Sequence, residues 1–138
     1  MAAKDKIHDS VVLALQKDGW TITHDPYILK VLGMEYEVDL GAEMILAAEQ
    51  EDRKIAVEIK SFIQGSFVYE FHQVLGQFLN YKLCLEEKEP DRILYLAIPD
   101  SVYETSFQRP AIQKILTLYN VRIILINTNH QTVIKWLQ

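Results

Sequence analysis

The sequence predicts an α/β fold of three layers, in which a mixed β-sheet lies between helices. Two apolar runs, residues 44–49 and 54–59, flank a charged tip and indicate a β-hairpin. After the hairpin, helical segments alternate with short and almost wholly apolar segments, which is typical of parallel strands joined by helices. A hairpin that continues into such units gives a mixed sheet with helices against its faces.

Apolar periodicity predicts the elements of the N-terminal part. Residues 4–18 are expected to form a helix, because apolar side chains recur there at helical spacing on one face. These side chains are Ile7, Val11, Ala14 and Leu15. Residues 20–24 alternate and favour a strand, and Asp25-Pro26 marks a turn after it. Residues 27–38 contain a glycine and predict an irregular connection with some extended structure.

The C-terminal part begins with a long helix. Ser66 is expected to cap a helix over residues 67–87, whose apolar stripe steps by four and three residues. The stripe consists of Phe67, Phe71, Val74, Phe78, Tyr81 and Leu85. Residues 93–98 are expected to form a strand, residues 111–119 a helix and residues 121–126 another strand. The tail, residues 132–137, fits either a strand or a helix.

Length and composition narrow the class of protein. The 138 residues suit a single domain over residues 1–138, and 49% hydrophobic with 24% charged residues is ordinary for a globular protein. No apolar run approaches the roughly 20 residues of a membrane helix, so no membrane association is expected. The first residues do not resemble a signal peptide, and the lone Cys84 forms neither an internal disulfide nor a cysteine-based zinc site. These features predict a cytoplasmic protein.

The net charge is −5, from 14 Lys and Arg against 19 Asp and Glu. This balance disfavours a protein that coats DNA without sequence preference, because such proteins are normally basic. An enzyme that acts on nucleic acid is still compatible with it, since such an enzyme can gather carboxylates around metal ions.

One segment carries side chains suited to phosphodiester chemistry. Glu58 and Lys60 lie near the end of the second hairpin strand and share one face of it, because side chains alternate along a strand. Asp39 lies 58 − 39 = 19 positions before Glu58. If Asp39 sits beside them, Asp39 and Glu58 could bind Mg²⁺ (or Mn²⁺), and Lys60 could orient the attacking water.

A simpler interpretation of the same pattern is a surface ion pair, which contributes less than about 1 kcal/mol. Three observations favour the catalytic interpretation. The preceding residues 55–57 are apolar, as in a central strand; Asp39 lies at a plausible distance; and the next helix bears a polar stripe. The stripe consists of Gln73, Gln77 and Tyr81.

These residues resemble the motifs of the PD-(D/E)XK nuclease superfamily, whose core is restriction endonuclease-like. The segment Gln77-Phe-Leu-Asn-Tyr81 is similar to the Gln-x-x-x-Tyr signature of RecB-like members. Within the superfamily, most of residues 7–98 resembles the fdxN element excision controlling factor (XisH) family of cyanobacteria. The stretches that carry this resemblance are residues 8–9, 17–27, 39–43, 55–62, 75–78 and 92–97.

The resemblance implies an accessory controlling factor in programmed, site-specific excision of a DNA element during heterocyst differentiation. The implied partners are DNA, a site-specific recombinase that performs strand exchange, and a small XisI-type partner factor. The superfamily implies Mg²⁺-dependent DNA cleavage, with Asp39, Glu58 and Lys60 as catalytic residues and Asp39 and Glu58 as metal ligands. Val38 stands where the superfamily motif has proline.

Three residues are expected to support the site. Asp9 lies on the first helix, where superfamily members often place an acidic residue near the metal; the alternative is a solvated carboxylate favoured by the helix dipole. Gln77 and Tyr81 could hold water or the DNA backbone; the alternative for Tyr81 is core packing.

Two functions are compatible with the sequence. The first is an endonuclease-like factor that cleaves or binds DNA phosphodiesters during excision. The second is a noncatalytic module with the nuclease fold, which binds the recombinase or the small partner factor. The apolar residues of the tail are expected to be exposed, which suggests a homo-oligomer or partner interface. The tail residues are Val133, Ile134, Trp136 and Leu137.

Overall fold

A computed structural model describes residues 5–31, 34–35 and 45–138. The helices are α1 (His8–Lys17), α2 (Phe67–Lys88), α3 (Asp100–Glu104) and α4 (Pro110–Leu118), with a 3-10 turn at Ser106–Gln108. The strands are β1 (Thr21–His24), β2 (Lys30–Val31), β3 (Met34–Glu35), β4 (Ile45–Gln50), β5 (Arg53–Ile59), β6 (Arg92–Pro99), β7 (Ile123–Asn127) and β8 (Thr132–Leu137). None of the described helices is long and apolar enough to span a lipid bilayer.

Six strands form one mixed sheet in the order β1-β4-β5-β6-β7-β8. The pairs β5–β6 and β6–β7 are parallel, and the pairs β1–β4, β4–β5 and β7–β8 are antiparallel. Strands β2 and β3 pair separately. The predicted hairpin is β4–β5, and it leads into parallel strands connected by helices. The mixed sheet is therefore confirmed, and β5 lies inside it between β4 and β6.

Two hydrophobic cores cover the two faces of this sheet. On one face, α2 packs through Phe71, Val74, Phe78, Tyr81 and Leu85 against the sheet, together with apolar residues of α4. On the other face, α1 packs through Val11, Ala14 and Leu15. The predicted three-layer α/β architecture is confirmed. Alternation along β5 follows from it, because Ala56 faces α2 whereas Val57 and Ile59 face α1.

Element boundaries differ from the sequence prediction in a few places. Helix α1 begins at His8 rather than at residue 4, because the Asp5 side chain accepts a hydrogen bond from the Ile7 N–H at 3.0 Å and forms a turn ahead of the helix. The short helix α3 follows Pro99 and has no buried residue, so it offers no apolar period to detect. Ser66 caps α2 as predicted, with its side chain accepting from the Tyr69 N–H at 3.4 Å.

The C-terminal tail is a strand, and its apolar residues are less exposed than expected. Val133, Trp136 and Leu137 are half-buried, and the Trp136 ring packs 5.6 Å from that of Trp20. Of the four apolar tail residues, Ile134 is the exposed one, at 49%. The expectation was wrong for the other three because β8 pairs with β7 and packs on both cores. Self-association through the tail stays a prediction, with a smaller apolar surface to support it.

The buried guanidinium of Arg92 connects the end of α2 to the start of the parallel strands. The Arg92 side chain is 3% exposed, and its Nε and Nη2 donate to the two carboxylate oxygens of Glu89 at 3.0 and 3.2 Å. Its Nη1 donates to the Ile55 carbonyl at 3.0 Å. The Tyr27 ring lies 5.1 Å from the guanidinium, and the Tyr27 hydroxyl donates to Glu89. Every nitrogen of Arg92 therefore has an acceptor.

These contacts move two pKa values in opposite directions. Hydrogen bonds from Arg92 hold the pKa of Glu89 below its ordinary value of 4.5, although burial opposes this. Burial and the Glu89 carboxylate raise the pKa of Tyr27 from 10.0 to about 12. The contribution of Glu89 to stability is therefore present above about pH 4.5 and is lost as the pH falls through its lowered folded-state pKa. The contribution of Tyr27 is present below about pH 10 and is lost as the pH rises towards 12.

Replacing Glu89 by glutamine tests this cluster. We expect Glu89→Gln to lower the free energy of unfolding at pH 7 by about 1.5–3 kcal/mol, because Arg92 loses charged hydrogen bonds. The difference from the wild type should shrink below about pH 4.5, where the wild-type carboxylate takes up a proton. Urea unfolding over a pH series measures both effects. Glu87→Gln, at an exposed position near the C-terminal end of α2, is the control; a deficit independent of pH would contradict the assignment.

Candidate functional site

Glu58 lies on the inner face of β5, the face that α2 covers, among apolar neighbours. Its partners in the sheet are Ile45 on β4 and Leu96 on β6, which both belong to the core under α2. Glu58 is 0% exposed. An ionised carboxylate in such a place is costly unless a cation or hydrogen bonds compensate it. The prediction that Glu58 sits on a central strand and not on the surface is therefore confirmed.

Lys60 follows β5 directly and points to the same side. Its N–H donates to the Ala97 carbonyl at 3.1 Å, which extends the parallel pairing with β6 by one residue. Its ammonium lies 3.6 Å from Oε1 of Glu70 on α2, and the two side chains are 14% and 7% exposed. Glu58 and Lys60 thus share the face that α2 covers, as alternation along the strand predicts.

Glu70 is a site residue that the sequence reasoning missed. It lies in the first turn of α2 and is 5% exposed. A signal was available, since Glu70 is three residues after Phe67 and four before Val74 and so interrupts the apolar stripe of the helix. A carboxylate at a position where the helix buries aromatic side chains needs a buried positive partner, and Lys60 provides it.

The chain around Lys60 is held at two points. Ser61 is buried, and its N–H and hydroxyl both donate to Oδ2 of Asp5, at 3.0 and 3.1 Å. Phe62 then adopts a positive φ of 58°, which is unusual for a residue with a side chain. Its ring packs 5.2 Å from that of Phe67 and 5.3 Å from that of Phe107. This packing stabilises the unusual backbone conformation of Phe62 just beyond the site.

Two predicted supporting residues lie on α2. Tyr81 is 2% exposed and belongs to the core beneath the helix. Gln77 is half-buried, and its Oε1 is buried with no hydrogen-bond partner in the described part of the chain. Gln73, the first member of the predicted polar stripe, is exposed. The structure therefore brings Gln77 and Tyr81, but not Gln73, into the layer between α2 and the sheet.

The other supporting residue, Asp9, lies exposed in the first turn of α1. The buried side of α1 packs on the opposite face of the sheet from α2. The neighbouring His8 is 3% exposed, and its Nε2 lies 2.8 Å from Oδ2 of Asp25. His8 therefore ties α1 to the turn after β1, and this contact explains why that turn holds an aspartate.

Asp39, the predicted partner of Glu58, lies outside the described residues. Within residues 5–31, 34–35 and 45–138, no group of three or more His, Cys, Asp or Glu side chains is arranged to hold a metal ion. The described part of the site consists of two buried carboxylates, Glu58 and Glu70, and one ammonium. Such a set can attract a divalent cation, or it can be neutralised in part by Lys60 alone.

Removing the Lys60 charge tests the buried pair. We expect Lys60→Met to lower the free energy of unfolding by about 3–5 kcal/mol, because Glu70 stays buried without its cation. The double variant Lys60→Met/Glu70→Met should recover much of this loss. Lys54→Met is the matched control, since Lys54 lies near the start of β5 but is 37% exposed and pairs with Asp91 at 3.7 Å and Glu89 at 4.0 Å. Chemical unfolding of the wild type, Lys60→Met, Glu70→Met and the double variant gives the coupling energy, and additive losses would contradict it.

Fold and site together define the class of protein: a three-layer α/β domain with acidic and basic side chains gathered at the end of a central parallel strand. A family model described as "XisH protein" matches residues 1–134. The chain belongs to the XisH family, as the sequence resemblance predicted. Among curated proteins, no sequence matches this chain.

Two solved structures are similar over nearly the whole chain. An XisH family protein from Nostoc punctiforme is 38% identical, with a TM-score of 0.89, and the match covers 97% of this chain and 100% of that one. A fdxN element excision controlling factor protein from Anabaena variabilis is 40% identical, with a TM-score of 0.88 and coverage of 96% and 98%. Both relatives come from cyanobacteria.

Proposed function

We propose that this protein controls excision of a DNA element through a divalent-metal site of the PD-(D/E)XK kind that acts on DNA phosphodiesters. The name of the Anabaena relative supports the role in excision control. One observation supports the chemistry: Glu58 and Lys60 share the inner face of β5, where the Lys60 ammonium meets a second buried carboxylate. Burying these charges at the end of a central strand is costly, and a metal site would account for it.

The donor set suits a hard cation. Mg²⁺ and Mn²⁺ prefer carboxylate and water oxygens, and Glu58 supplies a carboxylate in a place where a cation offsets the cost of burial. Asp39 is the second proposed ligand, from its position in the sequence motif. When bound, the ion would polarise the scissile phosphodiester and acidify water beside it.

Lys60 is the residue placed to meet the substrate. Of Glu58, Lys60 and Glu70 it has the most exposed side chain, at 14%. A cation held there can orient the attacking water and offset the negative charge that develops on the phosphorus oxygens. Gln77 Oε1, which is buried on α2, would accept a hydrogen bond from a water at the site. Tyr81 and Asp9 are the other proposed supporting residues, with Tyr81 in the core beneath α2 and Asp9 exposed on α1, which packs on the opposite face of the sheet.

The charge of the chain makes a partner necessary for tight DNA binding. Nonspecific affinity for DNA comes mainly from counterions that leave the DNA when Lys and Arg side chains neutralise its phosphates. A protein with a net charge of −5 gains little binding free energy in this way. We therefore propose that a site-specific recombinase or a small XisI-type factor delivers the DNA. Self-association as a homo-oligomer would use the open edge of β8.

A noncatalytic binding module is the second candidate, and one observation favours it. Glu58 and Glu70 are 0% and 5% exposed, so a phosphodiester reaches them only through an intervening ion. If no ion binds, the same residues merely hold α2 on the sheet. The two candidates differ in metal binding and in cleavage, which the following experiments measure.

Metal binding is tested by calorimetry with Mn²⁺ and Mg²⁺. We expect the wild type to bind the ion and Glu58→Gln to bind at least about tenfold more weakly, because the buried carboxylate is lost. Glu104→Gln, at the exposed end of α3, is the control and should bind like the wild type. Equal affinities of the wild type and Glu58→Gln, with both proteins folded by circular dichroism, would rule out a metal site at Glu58.

Cleavage is tested with supercoiled and branched DNA in Mg²⁺. We expect nicking by the wild type, with a rate that falls by about 10²–10³ in Lys60→Ala, as for loss of one preorganised charge. Lys54→Ala is the control, because Lys54 lies at the other end of the same strand. Residual nicking that is equal in the wild type and Lys60→Ala would indicate a contaminating nuclease and favour the binding module.

A further inference from the structure

We propose that Glu70 is a further ligand of the divalent cation, and that Lys60 holds its carboxylate until the cation arrives. The inference rests on the proposed metal site and adds one residue and an order of events to it. Cation binding would separate Glu70 from Lys60, and the released ammonium would then face the phosphodiester. Lys60 would thus be available for catalysis in the metal-loaded protein only.

The first observation is an oxygen atom without a partner. Glu70 is 5% exposed, and its Oε2 is buried with no hydrogen-bond partner in the described part of the chain. Buried polar atoms in folded proteins almost always have a partner, and an exception needs an explanation such as an ion or an ordered water. A carboxylate oxygen only accepts, so a cation or a donor is what it lacks.

The second observation is the contrast between the two ends of α2. Just past its C-terminal end, Glu89 uses both carboxylate oxygens to accept from Arg92 at 3.0 and 3.2 Å. At the N-terminal end, Glu70 meets Lys60 at 3.6 Å through Oε1 alone. Both carboxylate oxygens of Glu89 are therefore hydrogen-bonded, whereas Oε2 of Glu70 has no partner among the described residues, and that oxygen is the one available to a cation.

The position of Lys60 explains why it can exchange with an ion. Glu58 and Lys60 face the side of the sheet that α2 covers, and the Lys60 ammonium meets the buried Glu70 carboxylate on α2. A divalent cation that binds Glu58 would compete with Lys60 for Glu70, because it carries twice the charge. The lysine side chain has four rotatable bonds and is 14% exposed, so it can turn outwards when displaced.

Gln77 lies on the same side of α2 but is not a direct ligand of the same ion. It is seven residues after Glu70, which corresponds to about 10.5 Å along the helix axis. Direct ligands of Mg²⁺ lie about 2.0–2.1 Å from the ion. The buried Oε1 of Gln77 is therefore suited to a water of the ion's outer shell.

Two measurements on the full chain test the proposal. Calorimetry with Mn²⁺ compares the wild type with Glu70→Gln, Lys60→Met and the double variant. We expect Glu70→Gln to weaken binding at least about tenfold, and Lys60→Met to strengthen it because the competing ammonium is absent. Lys60→Met should have no such effect in the Glu70→Gln background. Circular dichroism and Glu104→Gln control for folding.

The second measurement follows Lys60 directly, without any enzymatic assay. In protein with ¹⁵N-labelled lysine, we expect the Lys60 side-chain signal to shift on saturation with Mg²⁺ in the wild type and to shift much less in Glu70→Gln. If Glu58→Gln abolishes Mn²⁺ binding while Glu70→Gln binds like the wild type, the metal site stands and the role of Glu70 is wrong. If the wild type binds no ion, both are wrong.

Discussion

Burial of charge under α2 is the constraint on which the candidate site depends. Glu58 sits between Ile45 and Leu96 on the inner face of a central strand, where an uncompensated carboxylate is costly. Lys60, on the same face, and Glu70, on the covering helix, bring the charges together at the strand end. Two carboxylates and one ammonium leave an excess of negative charge among these residues if all three are ionised. The proposed divalent cation would offset this charge.

Helix α2 is fastened to the sheet by an ion pair near each end, and the two pairs differ in kind. Arg92 and Glu89 form a fully hydrogen-bonded cluster with Tyr27, as expected for a contact that maintains the fold. Lys60 and Glu70 form a longer and incompletely satisfied contact. The same architecture thus combines a fully hydrogen-bonded attachment at one end of the helix with an incompletely hydrogen-bonded one at the other.

Much of this arrangement could be predicted from the sequence. Alternation along β5 places Glu58 and Lys60 together, and the aromatic stripe of α2 identifies the face that covers them. Glu70 escaped prediction because a polar residue within an apolar stripe can equally snorkel to solvent; only packing decides that it is buried. The tail was predicted to be exposed for a similar reason, since the partner of Trp136 is Trp20, which is distant in sequence.

The sequence by itself determined the elements, the mixed sheet and the shared face of Glu58 and Lys60, because these depend on local periodicity and strand geometry. Family membership also follows from it. The tertiary structure decided which charges meet: Lys60 with Glu70, Arg92 with Glu89, and Asp5 with Ser61. The first and last of these pairs join separate segments of the chain, and sequence periodicity carries no information about such contacts. Their energetics depend on burial, which exists only once α1 and α2 have packed on the sheet.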